Sequence, residues 1–157
     1  MSKIVVGVDG SEESARALVF AVEEAGLRSL PLEVVYTFEG KPEWLRFAPG
    51  ESLEGLAMES LERNAPQGGG TSPEESAREH ADALVRSMVS EHVGVGIDVR
   101  RTVSDVPKPG PHLVERSEGA TLLVVGTRGR GSVGSMLLGS VSTYCVHHAD
   151  SPVVVIK

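Results

Sequence analysis

The chain has 157 residues, of which 40% are hydrophobic and 24% are charged, and these values predict one folded domain with a proper core. Its formal net charge is −7, so we expect it to bind neither nucleic acid nor an anionic membrane surface. The single cysteine excludes an intramolecular disulfide, and no apolar run reaches the length of a membrane span. The first residues lack the layout of a signal peptide, so a cytoplasmic location is expected.

The N-terminal part of the chain predicts a strand, a helix and a second strand. The continuous apolar run Ile4–Val8 is typical of a buried strand, and Leu32–Phe38 forms the second one. Ser11 is a natural N-cap for the helix between them, and Gly26 marks its expected end. Asp9 then follows the carboxyl end of the first strand, where open α/β sheets bind ligands. An Asp-Gly pair is equally typical of a simple turn, so both interpretations stay open on position alone.

The middle of the chain is the least informative. Residues 39–71 contain three prolines and three consecutive glycines, so we expect a mobile loop with a short helical piece and no second domain. Ser72 begins a capping box for a helix that continues to about His92. Alternation then predicts a strand over 96–103, and a short helix around Leu113 follows a proline-rich loop.

The most informative segment follows an apolar strand at residues 122–125. It is rich in glycine, arginine and serine, and an apolar, helix-compatible stretch begins near Met136. A strand, a glycine-rich loop and a helix N-terminus together hold phosphate, because backbone amides point outward where no side chain intervenes. Glycines alone are equally typical of a flexible turn, but the arginines and serines favour phosphate binding. These residues are Gly126, Arg128, Gly129, Arg130, Gly131, Ser132, Gly134, Ser135, Gly139, Ser140 and Ser142.

Two other phosphate-binding motifs do not fit the sequence. Gly129-x-Gly131-x-x-Gly134 spells a dinucleotide fingerprint, but that motif needs an acid at the end of the following strand, which here ends at Ile156-Lys157. The Gly-Lys-Ser/Thr of a P-loop occurs nowhere in the chain. Without a Walker lysine, an obvious general base or a carboxylate cluster for two metals, we expect nucleotide binding with slow hydrolysis at most. Cys145 and His148 lie one helical turn apart, but we expect a core thiol and not a nucleophile with its base.

The spacing Gly126-x2-Gly129-x9-Gly139-Ser140 resembles that of the ATP-binding universal stress protein family. The opening IVVGVDGSEES and the C-terminal sequence around LLGSVS and HHADSPVVVIK are similar to the same family, whereas the middle matches it poorly. The resemblance implies a single Rossmann-like α/β domain over residues 1–157. Its open, parallel, five-stranded sheet would have the strand order 3-2-1-4-5 and helices on both faces.

The resemblance also implies a site for ATP, with or without Mg²⁺. Asp9 would hold the ribose, the main chain of Thr37 would contact adenine, and the glycine-rich loop would hold the phosphates. Pro107 stands where the family usually has glycine, so no ligand contact is assigned to residues 104–112. The expected nucleotide-binding residues are Val8, Asp9, Gly10, Ser11, Thr37, Gly126, Thr127, Arg128, Gly129, Arg130, Gly131, Gly139, Ser140, Val141 and Ser142.

These features predict an ATP-binding stress-response protein that acts as a regulator or sensor with slow or no hydrolysis. Two alternatives remain open: an interaction module that binds no nucleotide and acts by dimerising, and a slow adenine-nucleotide hydrolase. The resemblance further implies a homodimer paired through the C-terminal strand at residues 152–157.

Overall fold

Five parallel strands form one sheet in a computed structural model of the chain, which describes residues 2–38, 73–94, 96–127 and 138–157. The strand order is β3-β2-β1-β4-β5, which confirms the predicted order. The strands are β1 (Ile4–Val8), β2 (Leu32–Phe38), β3 (Val99–Asp105), β4 (Leu122–Gly126) and β5 (Val153–Ile156).

Four helices alternate with these strands in the described ranges. They are α1 (Glu12–Arg28), α2 (Pro73–His92), α3 (Pro109–Arg116) and α4 (Ser140–His148). Within the same ranges, every helix is too short or too polar to cross a membrane. The loop predicted at residues 39–71 lies outside the described residues.

Both faces of the sheet are covered, which explains the unbroken apolar run of β1. Successive side chains of a strand point to opposite faces, so a strand between two layers of helices is apolar at every position. Ile4, Val6 and Val8 belong to a core cluster with residues of α1 and α2. Val5 belongs to a second cluster that includes Leu113 of α3 and a residue of α4. The helices therefore lie on both faces of the sheet, as predicted, with two on each face.

Three element boundaries differ from the prediction. Helix α1 does not end at Gly26, because Ser29 takes the left-handed conformation (φ 53°) and caps the helix after Arg28. Strand β3 starts three residues later than predicted, after Gly96 with its positive φ of 103°. Helix α3 begins at Pro109, inside the predicted loop, because proline is well suited to the first helical position.

Glu33 is a buried carboxylate that strand periodicity did not reveal. Its side chain is 2% exposed and accepts hydrogen bonds from Lys3 Nζ (2.6 Å), Thr102 Oγ1 (2.8 Å) and Arg116 Nε (2.8 Å). Burial by itself raises the pKa of Glu33, but the hydrogen bonds from Lys3, Thr102 and Arg116 outweigh it and hold the pKa below its ordinary value. These bonds connect β2, β3, α3 and the residue before β1 at the amino edge of the sheet, opposite the carboxyl edge where open α/β sheets bind ligands.

Replacing Glu33 by glutamine should destabilise the protein by about 2 kcal/mol, because Lys3 and Arg116 would lose their shared buried acceptor. Urea unfolding of both proteins at neutral pH measures the difference. The matched control is Glu24→Gln, which breaks an exposed pair with Arg28 on α1 and should cost about 0.5 kcal/mol at most.

The pH dependence gives the same prediction a second readout. Because the pKa of Glu33 is lower in the folded chain than in the unfolded chain, its contribution is complete above the unfolded value. The contribution is then lost as the pH falls through the folded value, so wild type and Glu33→Gln should converge in acid. Equal stability of the two proteins at neutral pH would contradict this account of the amino edge.

Cys145 is a core thiol, as predicted. It is fully buried in the second cluster, and burial raises the pKa of the Cys145 thiol to about 11. The exposed His148 ring stacks on Tyr144 with centroids 4.0 Å apart, and its Nδ1 donates to the Tyr144 carbonyl at 2.9 Å. The raised thiol pKa and this local bonding of His148 do not fit a nucleophile activated by a neighbouring base.

A thiol-specific reagent should therefore leave Cys145 unmodified in the native protein at about pH 8, where little thiolate is present. The same reagent should modify it fully after unfolding in guanidinium chloride. Absorbance of the released chromophore measures both rates, and a native-state rate equal to the unfolded rate would rule out the core role.

Candidate functional site

The candidate site lies at the carboxyl edge of the sheet, between β1 and β4. The chain builds β2 and β3 on one side of β1, and then β4 and β5 on the other. Connections that leave neighbouring strands in opposite directions open a crevice at this edge, which is where open α/β sheets bind ligands. When the register of β1 with β2 and β4 is continued past the strand ends, Asp9 falls level with Thr37 and Thr127. The sheet thus brings three of the predicted residues to one edge.

The turn from β1 into α1 is fixed by side-chain hydrogen bonds. Asp9 Oδ1 accepts from the Ser11 amide (2.9 Å) and the Ser11 hydroxyl (2.5 Å). The Ser11 side chain in turn accepts from the Ser14 amide (3.2 Å), which confirms Ser11 as the N-cap. Gly10 has a φ of 82°, a backbone conformation that residues other than glycine rarely adopt. The turn interpretation of Asp9 is therefore confirmed, and it holds the carboxylate at the edge in a fixed orientation.

Ser14 supports this turn from below and was not predicted to do so. It is 3% exposed, its hydroxyl donates to the Ser11 carbonyl at 2.9 Å, and the same oxygen accepts from the Asp9 amide at 3.3 Å. The repeat of serine at the N-cap and three residues later was the available signal in the sequence.

The predicted residues of β1 and β2 differ in what they expose to a ligand. Val8 is 5% exposed and belongs to the first core cluster, so only its main chain is available. Asp9, Ser11 and Thr37 are half-buried, and Gly10 is exposed. The turn bonds engage the Oδ1 atom of the Asp9 carboxylate.

Thr127 holds together the two ends of the glycine-rich segment. Its amide donates to the carbonyl of Ile156 on β5 at 2.7 Å. Its own carbonyl accepts from the Gly139 amide (2.6 Å) and lies 3.0 Å from the Ser142 hydroxyl. Residues 128–137, with the predicted Arg128, Gly129, Arg130 and Gly131, lie outside the described residues. The structure thus fixes the base of the predicted phosphate loop.

Helix α4 begins at this base with its N-terminus at the carboxyl edge. Amides at the first positions of a helix have no carbonyl within the helix to bond, and the helix dipole adds partial positive charge there. The first three helical residues are Ser140, Val141 and Ser142, and Gly139 is the N-cap. Gly139 has an extended conformation (φ −77°, ψ 170°), so the backbone itself does not require glycine at this position.

The two serines of this segment that the structure describes are not equivalent. Ser140 is exposed. Ser142 is 2% exposed, and its hydroxyl donates within the protein, to the carbonyl oxygens of Thr127 and Gly139. In this structure only the main chain of Ser142 is available to a ligand.

No group of three or more metal-ligating side chains occurs in the described part of the chain. A magnesium ion bound together with a nucleotide needs only one or two protein carboxylates, since phosphates and water supply its other ligands. Among the predicted binding residues that the structure describes, Asp9 is the one with a carboxylate suited to such an ion.

The whole chain, residues 1–157, matches the model of the universal stress protein family. A universal stress protein of Mycolicibacterium smegmatis is 32% identical over 153 residues, covering 98% of this chain and 47% of the relative. The chain thus spans about half the length of the curated relatives that it matches.

Solved structures of the family share the fold. The universal stress protein of Archaeoglobus fulgidus in complex with dAMP is 23% identical, has a TM-score of 0.54 and covers 100% of this chain and 98% of its own. A universal stress protein in complex with cAMP is 22% identical, has a TM-score of 0.56 and covers 99% of this chain and 96% of its own. The match over all 157 residues, together with the sheet order, shows that this chain belongs to the universal stress protein family.

Proposed function

We propose that this chain binds ATP at the carboxyl edge between β1 and β4 and acts as a nucleotide-dependent regulator or sensor of the stress response. The observation that carries the proposal is the meeting of two features at this edge. One is the bonded turn of Asp9 and Ser11, and the other is the start of α4 at the base of the glycine-rich segment. The family members crystallised with dAMP and cAMP support an adenine nucleotide as the ligand.

The two features suit the two ends of a nucleotide. Asp9 accepts hydrogen bonds from the ribose, and the main chain of Thr37 contacts the adenine, with Val8, Gly10 and Ser11 beside them. The phosphates lie on the amides at the start of α4, where the helix dipole stabilises negative charge. The remaining contacts in the proposal come from Gly126, Thr127, Arg128, Gly129, Arg130, Gly131, Gly139, Ser140, Val141 and Ser142, the last through its main chain.

Binding without fast turnover follows from the residue types at the edge. Rapid phosphoryl transfer needs neutralised charge and a positioned nucleophile, and the sequence offers neither a Walker lysine nor an obvious general base. Phosphate release faster than about one turnover per second would instead favour the hydrolase alternative. A cytoplasmic location, expected from the sequence, completes this proposal.

Strand β5 supplies the interface with a second copy. It is a terminal strand of the described sheet, and its four β-branched residues are all half-buried. The amides of Leu123 and Thr127 donate to the carbonyls of Pro152 and Ile156. Backbone groups of successive residues in a strand point to alternate sides, so those of Val153 and Val155 point away from β4, to the open edge. An open edge of this kind pairs readily with another strand.

Replacing Gly139 by valine should weaken ATP binding by about tenfold or more, since a side chain would occupy the approach to the α4 amides. Titration calorimetry with ATP measures the change. The backbone at Gly139 is extended, so its φ and ψ angles suit valine.

Gly94→Val is the matched control, because Gly94 has no atom within 4 Å of an added Cβ and lies far along the chain from the site. It should bind ATP like the wild type. Wild-type affinity of Gly139→Val would refute the phosphate site. Failure of the wild type to bind ATP, or to release adenine nucleotide on denaturation, would favour the interaction module.

Replacing Val155 by proline should convert the proposed dimer to a monomer, because proline removes an amide that points to the open edge and leaves the bonds to β4 in place. Light scattering at micromolar concentration measures the mass. Val155→Ala is its control, since alanine removes the side chain but keeps the amide, and it should stay dimeric. A monomeric wild type would contradict the interface.

A further inference from the structure

Strand β5 directs the backbone groups of alternate residues to its open edge. The carbonyls of Pro152 and Ile156 accept from β4, so these residues face into the sheet. Val153 and Val155 therefore face the open edge, and the same alternation turns the carbonyl of Lys157 to that edge too. Three residues thus direct backbone groups at the place of a neighbouring strand.

The last of these positions is already bonded from within the chain. Arg16 of α1 donates from Nε to the Lys157 carbonyl at 2.8 Å, and from Nη1 to Glu12 at 2.7 Å. The guanidinium therefore lies where a neighbouring strand would bring the amide that this carbonyl needs. Arg16 thus blocks the open edge at Lys157.

Burial limits the other end of the open edge. Ser151 is 9% exposed and lies in the bend between α4 and β5, outside the strand itself. Edge pairing needs an extended backbone with accessible amides and carbonyls. The backbone available to a second strand is therefore that of Val153 and Val155.

We propose that two copies of this chain pair through β5 in one defined antiparallel register, with Val154 opposite Val154 of the second copy. This inference rests on the dimer in the proposed function, and it adds which residues meet and what excludes the other registers. In this register Val153 of each copy bonds Val155 of the other. Four backbone hydrogen bonds then form without any group of Lys157 or Ser151.

The two neighbouring registers each need a group that is not available. Two identical strands related by a two-fold axis perpendicular to the sheet run antiparallel, and the bonded registers move their centre by one residue at a time. Centring on Val155 would require the Lys157 carbonyl to accept from the second copy, but Arg16 already donates to it. Centring on Val153 would require the backbone of Ser151, which is buried. The proposed register uses both outward-facing residues of each copy and neither of these groups.

The side chains of β5 suit a second copy on both faces of the sheet. Val154 and Ile156 pack against the first core cluster, and Val153 and Val155 pack against the second. All four are half-buried in a single copy. Pairing β5 with its copy would continue both clusters across the two-fold axis and bury more of this apolar surface. The edge therefore fits another copy of itself.

Single cysteine substitutions in β5 report the register. Opposite residues that do not bond each other in an antiparallel pair have Cα atoms about 4.5 Å apart, which suits a disulfide. Residues displaced by two positions lie about 7–8 Å apart, beyond the usual reach of a disulfide. Val154→Cys should therefore form a linked dimer under mild oxidation with diamide, whereas Val153→Cys and Val155→Cys should not.

Non-reducing gel electrophoresis measures the linked fraction. Light scattering of the reduced proteins establishes that each variant has the mass of the wild type. The wild type is a further control, because its native Cys145 is buried and should give no linked dimer.

Arg16→Ala tests the block itself, because it frees the Lys157 carbonyl and so admits the register centred on Val155. Combined with Arg16→Ala, the linked fraction of Val155→Cys should rise roughly three- to tenfold, the effect of one hydrogen bond. Arg28→Ala is the matched control, since Arg28 also pairs one turn back on α1, with Glu24 at 2.7 Å, but lies at the other end of the helix. It should leave Val155→Cys unlinked.

Linkage of Val153→Cys or Val155→Cys in place of Val154→Cys would overturn the register and leave the dimer standing. A dimeric wild type in which none of the three cysteines links would refute β5 as the interface. A monomeric wild type would refute the proposed dimer and the register with it. An unchanged linked fraction in Arg16→Ala would show that Arg16 does not exclude the other register. ATP binding is measured separately, so failure of the nucleotide site is distinguished from failure of this interface.

Discussion

The backbone of Thr127 makes the hydrogen bonds on which the proposed site depends. Its amide continues the parallel pairing of β4 with β5. Its carbonyl accepts a hydrogen bond from the amide of Gly139, the N-cap of α4. Thr127 thus lies at the end of β4 and at the start of the glycine-rich segment that leads to α4. Because both groups are bonded to main chain, the site's location follows from the sheet and not from flexible side chains. The N-terminus of α4 is held at the carboxyl edge for the same reason.

The two edges of the sheet differ in their chemistry, and the proposed binding site lies at the edge opposite the buried Glu33 network. At the amino edge, Glu33 binds two cations and a hydroxyl, and these bonds hold β2, β3, α3 and the residue before β1 together. At the carboxyl edge the described groups are turns, helix starts and half-exposed polar residues. A ligand can replace water there without disturbing the buried network. This separation is consistent with a sheet that is a rigid scaffold at one edge and the proposed binding surface at the other.

The sequence predicted those parts of the molecule that depend on local patterns. Ile4–Val8 was correct because its apolar run is typical of a strand covered on both faces, and Ser11 because its N-cap bond is local. Glu33 was missed because its partners lie 30, 69 and 83 residues away, where no local pattern connects them. The end of α1 was placed at Gly26 because glycine is the usual left-handed residue, whereas Ser29 takes that conformation here.

The inward direction of the Ser142 hydroxyl also required the structure. At the start of a helix, serines one turn or less apart face different surroundings, and the sequence does not state which of them is buried. The pattern of glycine and serine therefore predicted a phosphate site at this segment, but it did not distinguish the buried Ser142 from the exposed Ser140.

A crystal structure of this protein with a non-hydrolysable ATP analogue would show whether the carboxyl edge between β1 and β4 binds the nucleotide. We expect the phosphates on the amides at the start of α4, with the ribose at Asp9 and the hydrogen bond between Thr127 and Gly139 intact. Phosphates bound elsewhere, or a carboxyl edge without nucleotide at saturating concentration, would contradict it.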